Sequence, residues 1–285
     1  MSRPRAAARD LRAAGLSLAY DGARVVHDLD LAVPDGRVTV IVGANASGKS
    51  TLLRGLARIM RPAAGAVTLD GDDIHRLPTK QVARIVGLLP QQPQAPDGIT
   101  VADLVARGRH PHGGWLRGSR GDDDRIVAEA LAATGTLALA GRRVDELSGG
   151  QRQRVWIAMA LAQDPEILLL DEPTTFLDIA HQIDVLDLLH ELNRGRGTTV
   201  VMVLHDLNLS ARYADHLVVM AAGRIVAAGP PGEVISPATV GDAFGLEARV
   251  VEDPVCGAPM VVPVGRVHRA PAPGASDVTA GPPPR

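Results

Sequence analysis

At 285 residues with a formal net charge of −2 and only 2% aromatic residues, the chain lacks the bulk charge and the stacking side chains of a nucleic-acid binder. Apolar residues make up 46%, enough for a substantial core, and the length suits one large domain or a domain with a subdomain. The single cysteine, Cys256, permits no intrachain disulfide and fits a reducing, cytosolic setting.

The N-terminus, Met1 to Arg12, carries four arginines but no apolar segment of the signal-peptide kind. No apolar run approaches the ~18 residues that span a bilayer, so any membrane role is expected through a partner. Leu16 to Tyr20 alternates and is followed by the turn Asp21-Gly22; Leu29 to Val33 alternates before Pro34-Asp35-Gly36. Both are predicted as half-exposed antiparallel strands. Val38 to Val42 is an apolar run broken only by Thr39, predicted as a buried strand.

That strand leads into Gly43-Ala44-Asn45-Ala46-Ser47-Gly48-Lys49-Ser50, which fits the phosphate-loop pattern G-x-x-x-x-G-K-[ST], and a helical pattern, Thr51 to Ile59, follows. Glycines let the backbone turn tightly and aim successive N–H groups inward, and the new helix adds its positive end. Lys49 is placed to neutralise the terminal phosphates and Ser50 to put its hydroxyl on Mg²⁺. Of 30 basic residues only two, Lys49 and Lys80, are lysines. A chain so biased toward arginine keeps a lysine where a planar guanidinium does not fit a closed phosphate nest.

Ala66 to Gly71 adds a further strand. From about Thr100 to Gln163 the pattern is helical with loops: Val101, Leu104 and Val105 have helical spacing, as do Ile126, Val127, Ala130 and Leu131 after the acidic start Asp122-Asp123-Asp124. Ile167 to Leu170 is an apolar strand ending in two acids, Asp171 and Glu172. Neighbouring strand side chains turn to different faces, so the acids can take different tasks: Asp171 toward Mg²⁺ through water, Glu172 toward the proton of an attacking water. A helix is predicted from His181 to Leu192 with Ile183, Leu186, Leu189 and His190 on one face, and Val200 to Leu204 and the stretch around Leu217–Ala222 are predicted as core strands. The expected fold is α/β: a P-loop core with an N-terminal antiparallel β subdomain and an inserted helical subdomain at about 100–163. The domain is expected over 11–265. The remainder, 266–285, is Pro, Gly and Ala with little to bury and is expected to be disordered.

Leu147-Ser148-Gly149-Gly150-Gln151 stands just ahead of a predicted helix, Arg152 to Gln163. Ser148 has N-cap chemistry and the two glycines permit close approach to an anion. With a phosphate loop already present, a second phosphate-binding element makes the chain resemble the nucleotide-binding subunits of ABC transporters, from roughly Leu11 to Gly265. The resemblance implies ATP and Mg²⁺ as cofactors. Tyr20 matches the aromatic that stacks on adenine. Gln91 matches the glutamine that ligates Mg²⁺ with Ser50 and Asp171 and reports to the permease. Asp178, in Thr174-Thr175-Phe176-Leu177-Asp178, matches the aspartate facing the opposite subunit, and His205 the switch histidine on the γ-phosphate. Phosphates are expected on Gly43, Asn45, Ala46, Ser47, Gly48, Lys49, Ser50 and Thr51. Ser148, Gly149, Gly150 and Gln151 are expected to cap the ATP of a second subunit.

Taken singly, Tyr20 also fits a half-buried strand aromatic, Gln91 also fits a loop glutamine, and its neighbour Gln92 leaves the matching position open by one residue. His205 also fits a strand-end histidine, and Asp178 an N-cap of a helix beginning near Ile179. Joint order and spacing carry the resemblance. One departure is Ala44, where the family usually has proline; it changes loop stiffness rather than ligand chemistry. Implied partners are a second copy of the chain, two transmembrane permease subunits and, indirectly, an extracytoplasmic binding protein, at the cytoplasmic face of the membrane, with no nucleic acid.

Gly98-Ile99-Thr100-Val101, Gly108-Arg109-His110-Pro111-His112, Leu177 to Gln182, His205 to Asn208 and Asp253 to Met260 look like the importers of iron(III)-siderophores, haem and cobalamin, the last string fitting the siderophore branch. His110 and His112 flank Pro111 in a loop with no further ligands nearby, so no metal site is assigned there. The rival classes are a soluble ABC ATPase acting on DNA ends, ribosomes or iron–sulfur assembly, and an exporter ATPase. The chain has one cassette and no sustained heptads, unlike the first, and its siderophore-type strings count against the second.

Overall fold

Asp21 and Gly22 both adopt left-handed backbone, φ 47° and 84°, the twist a two-residue hairpin turn requires. They fold β1 (Leu11–Tyr20) onto β2 (Ala23–Val33), with Tyr20 opposite Ala23. The computed structural model of the chain describes residues 8–112, 120–175 and 177–267. After β2 come β3 (Val38–Gly43), α1 (Lys49–Leu56), β4 (Ala64–Leu69), β5 (Asp72–Asp73), α2 (Thr79–Ile85) and β6 (Val86–Leu89). A helical stretch follows: α3 (Val101–Ala106), α4 (Arg120–Ala133) and α5 (Gly149–Ala162). The chain continues through β7 (Ile167–Asp171), α6 (Ile179–Arg196), β8 (Thr199–Val203), α7 (Leu207–Tyr213), β9 (His216–Ala221) and β10 (Arg224–Gly229). It closes with α8 (Pro231–Val234), α9 (Pro237–Phe244), β11 (Leu246–Glu252) and β12 (Pro259–Arg266).

Three sheets form among the described residues: an antiparallel one ordered β2-β1-β4-β5, a six-stranded one ordered β10-β9-β3-β8-β7-β6, and the hairpin β11-β12. In the six-stranded sheet only β10 runs antiparallel to its neighbour. Strand alternation divides its side chains between two cores. Val38, Val40, Val42, Leu168, Leu170, Val200 and Met202 pack with the helical stretch, while Ile41, Ile167, Leu169, Val201 and Val203 pack with α1 and the antiparallel sheet. Both faces are covered, which is why these strands read as continuous apolar runs.

Some expectations on local burial need correcting. In β1, Leu16, Ser17 and Leu18 are all buried rather than alternating. Register shifts between Ala13 and Leu18, with Gly15 at φ 54°, break the period, and α1 packs so closely there that a Cβ on Gly55 would come within 2.7 Å of Leu18. In α6 the fully buried positions are Val185, Leu186, Leu189 and Asn193, with Ile183 and His190 only partly covered. The β11–β12 hairpin was not legible beforehand. It is tied to α7 by a reciprocal amide pair: Asn208 Nδ2 donates to Val261 O at 3.2 Å and accepts on Oδ1 from Val261 N at 2.7 Å. Strand β12 runs through Arg266, one residue past the expected domain end, and Val267 N donates to Gly245 O. Residues 268–285, expected to be disordered, lie outside the described residues. No helix among the described residues is long and apolar enough to cross a membrane.

Candidate functional site

The strands β3, β8, β7 and β6 are neighbours, and the loops at their C-terminal ends converge. This is the crevice where open α/β sheets bind ligands. The loop after β3 is tightly built. Gly43 has φ 155°, and a Cβ there would strike the Met220 carbonyl and lie 2.7 Å from Ser47 Oγ. Ala46 and Gly48 take φ of 62° and 98°. Gly48 is the N-cap of α1 and offers no side chain to its free N–H groups, so that helix end stays open toward an anion.

Lys49 is 5% exposed and folds over the loop, donating from Nζ to Gly43 O at 2.9 Å and Ala44 O at 3.0 Å. Burial holds its pKa below the usual lysine value, against the opposing pull of Glu172 and Asp171. Ser47 Oγ is buried and has no hydrogen-bond partner among the described residues. A cavity of about 370 Å³ opens over these groups, lined by Asn45 to Thr51, Val25, Glu172 and His205. An open helix end, a buried ammonium with only carbonyl partners and an orphaned hydroxyl fit a polyphosphate.

Asp171 shares the strand phase of Ile167 and Leu169 and so turns toward α1, where Ser50 Oγ donates to its Oδ1 at 2.7 Å. Burial raises its pKa, with the Ser50 hydrogen bond opposing. Glu172 follows at φ 54°, an uncommon left-handed residue outside glycine. Its carboxylate accepts from Gln91 Nε2 at 2.5 Å and Thr175 Oγ1 at 3.0 Å, and meets His205 Nε2 at 2.8 Å. Burial pushes its pKa up, but the His205, Thr175 and Gln91 bonds outweigh this and leave it below the usual value. Gln91 and His205, expected on Mg²⁺ and the γ-phosphate, both contact Glu172 here. Ser50 and Asp171 supply hard oxygen donors. Among the described residues no group of three or more His, Cys, Asp and Glu forms a metal cage. Two oxygen donors side by side suit a cation that takes the rest of its shell from water and phosphate oxygens.

The remaining expected residues lie apart from this cavity. Tyr20 is 43% exposed at the end of β1, where its hydroxyl accepts from Arg54 at 3.0 Å. Ser148 caps α5: its Oγ accepts from Gln151 N at 3.3 Å, and Gln151 Oε1 accepts from Ser148 N at 3.2 Å. Gly149 lies exposed and Gly150 half-buried beside them. Asp178 caps α6, accepting from His181 N at 2.9 Å, and pairs with the His181 ring at 2.7 Å. Val25, Thr175 and Gln153 escaped the sequence reading. Val25 lines the cavity from β2, and Gln153 Nε2 donates to Pro173 O at 2.8 Å.

Strand, phosphate loop, helix, and an acid pair on a neighbouring parallel strand define a P-loop nucleotide-binding cassette. Residues 26–175 match the ABC transporter family. The chain is 54% identical to the achromobactin transport ATP-binding protein CbrD of Dickeya dadantii (strain 3937), over 88% of this chain and 93% of that one. It is 52% identical to the ferric enterobactin transport ATP-binding protein FepC of Escherichia coli (strain K12), over 90% of this chain and 94% of that one. Its fold is similar to the dimeric structure of MJ0796, a bacterial ABC transporter cassette, with a TM-score of 0.70 and 26% identity over 77% of this chain and 98% of that one. The chain belongs to the ABC transporter family, as one of its ATP-binding subunits, which hydrolyse ATP to drive transport.

Proposed function

We propose that this chain energises the import of a ferric siderophore or a related metal chelate. The observation that carries the substrate class is the identity of 54% and 52% to the achromobactin and ferric enterobactin subunits, spanning nearly their whole lengths. In this reading residues 11–265 are the ATPase domain, with 100–163 its helical subdomain. Gly43 to Thr51 hold the phosphates, Lys49 neutralises them, and Tyr20 stacks on adenine. Ser50, Gln91 and, through water, Asp171 would hold Mg²⁺, which when bound would neutralise phosphate charge. Glu172 accepts the proton of the attacking water, and His205 turns from it to the γ-phosphate. Catalysis is positioning plus charge neutralisation.

One phosphate loop and one signature per chain favour a homodimer with two shared sites, Ser148 to Gln151 and Asp178 of each subunit facing the other's ATP. The dimer sits on two permease subunits at the cytoplasmic face of the membrane, served by an extracytoplasmic binding protein. Growth of a gene-deleted strain on defined iron sources tests the substrate class. Loss of growth on ferric siderophores, with normal growth on haem or abundant free iron, is expected. Unchanged growth on every siderophore the parent uses would overturn it.

A further inference from the structure

The turn carrying Glu172 is held from outside by the helix that begins at the signature. Gln153, in the first turns of α5, donates Nε2–H to Pro173 O at 2.8 Å. That carbonyl follows directly on Glu172, whose φ of 54° is disfavoured for an L-residue and persists only where its surroundings fix it. Within the turn, Thr175 N donates to Glu172 O at 3.2 Å and Thr175 Oγ1 to the Glu172 carboxylate at 3.0 Å. Gln153 thus braces the backbone from which the carboxylate is aimed.

The far end of the same turn also rests on α5. A Cβ on Gly150 would lie 3.5 Å from His181 and 3.7 Å from Leu177, so Gly150 is packed against both. His181 pairs with Asp178 at 2.7 Å, and Gln182 Nε2 donates to Leu177 O at 2.9 Å. The start of α5 and the segment from Glu172 to Asp178 are therefore joined at two places. Of the two joints, the Gln153 bond is the one made to the backbone next to Glu172.

We propose that Gln153 is a positioning residue for ATP hydrolysis, coupling the signature turn to the aim of Glu172. This rests on the shared-site reading above, in which the signature meets the nucleotide of the partner subunit while Glu172 serves this chain's own. Occupancy of one site then alters carboxylate alignment in the other, a coupling free energy with a named physical link.

The test uses two substitutions in the purified chain, with ATP hydrolysis measured across MgATP concentrations. Gln153→Met keeps length and volume without a donor; Gln153→Lys keeps a donor. Loss of one net hydrogen bond in the transition state lowers kcat about fivefold in Gln153→Met, with KM within about twofold of wild type. Its Hill coefficient falls toward 1, its melting temperature drops by only the roughly 2–4 °C that one lost hydrogen bond costs, and Gln153→Lys regains rate, cooperativity and melting temperature. Wild-type kcat and Hill coefficient in Gln153→Met would overturn the proposal. So would parallel loss of rate and melting temperature in both variants, which marks a purely structural bond. If wild type dimerises with MgATP and only the variants fail to differ, Gln153 alone is wrongly assigned. If wild type neither dimerises nor shows cooperativity, the shared-site reading fails and the coupling with it.

Discussion

His205 Nε2 stands 2.8 Å from Glu172 Oε1, the two side chains rising from the ends of the neighbouring parallel strands β8 and β7. Gln91, beyond the end of β6, closes on the same carboxylate at 2.5 Å. Three adjacent strands thus focus on one acid that, despite burial, stays below the usual carboxylate pKa.

His205→Ala should raise the Glu172 pKa, because a partner that favours the charged form is gone. A carboxylate whose folded pKa is depressed contributes stability above its unfolded pKa and loses it as pH falls through the folded one. The variant should therefore lose stability at neutral pH and converge on wild type in acid. Hydrolysis should fall by about 10²-fold or more, and the acid limb of its rate profile should move to higher pH. Coincident pH–stability curves and an unmoved limb would show that the pair has no energetic consequence.

Lys49→Ala should abolish tight MgATP binding. Among the described residues the buried ammonium donates to two loop carbonyls, and the chain's one other lysine, Lys80, lies in α2 rather than along the cavity. Bonds to charged groups contribute about 1.5–3 kcal/mol each, so affinity should drop at least 10- to 100-fold. Burial lowers the lysine's pKa, so wild-type affinity should decline at a less alkaline pH than an ordinary lysine implies. Titration with labelled ATP across pH measures both; near-normal affinity in the variant would sink the role of Lys49.

Asn208→Leu should detach the β11–β12 hairpin from α7 by removing both amide bonds to Val261. An unpaired backbone group at this half-buried seam makes a cost of about 1–3 kcal/mol the expectation. Chemical denaturation measures it. Because α7 follows His205 by two residues, hydrogen exchange should rise in the hairpin and at the start of α7. A change confined to the substituted residue would show that the hairpin holds by its apolar contacts alone.

The phosphate loop was legible because its chemistry is local: glycines at fixed offsets, a strand before and a helix after. Asp171 was legible too, since strand phase alone turns it to the α1 side and Ser50. The partners of Glu172 were less so. Gln91 and His205 lie 81 and 33 residues from it, and their contact with the carboxylate follows from the strand order β8-β7-β6, which no periodicity encodes. Gln153 and Asn208 were missed for a related reason. Each bonds a backbone carbonyl in a distant segment, and a carbonyl leaves no side-chain signal in a sequence. The bulged register of β1 was hidden because Gly15 lies just before the stretch that alternates, Leu16 to Tyr20, and nothing inside that stretch signals a bulge.

The shared site can be tested by complementation. Lys49→Ala spoils the phosphate loop and leaves the signature intact. Ser148→Arg does the reverse, placing a bulky side chain on the turn that must approach the nucleotide. Ser148 also closes the capping box with Gln151, so this variant loses a cap at a cost of about 1 kcal/mol, small enough for the cassette to stay folded. Each homodimer should then lack a complete site, while a mixed dimer pairs the sound loop of the Ser148→Arg chain with the sound signature of the Lys49→Ala chain. Mixing the two should restore ATP-dependent association, read by fluorescence transfer between labelled subunits. Adding Glu172→Gln to both prolongs the signal, because the amide keeps the shape of the side chain without accepting a proton. Hydrolysis is a poorer readout, since both sites contribute to turnover when they are coupled. If the mixture associates no better than either variant alone while wild type associates well, loop and signature do not act across two chains in this protein.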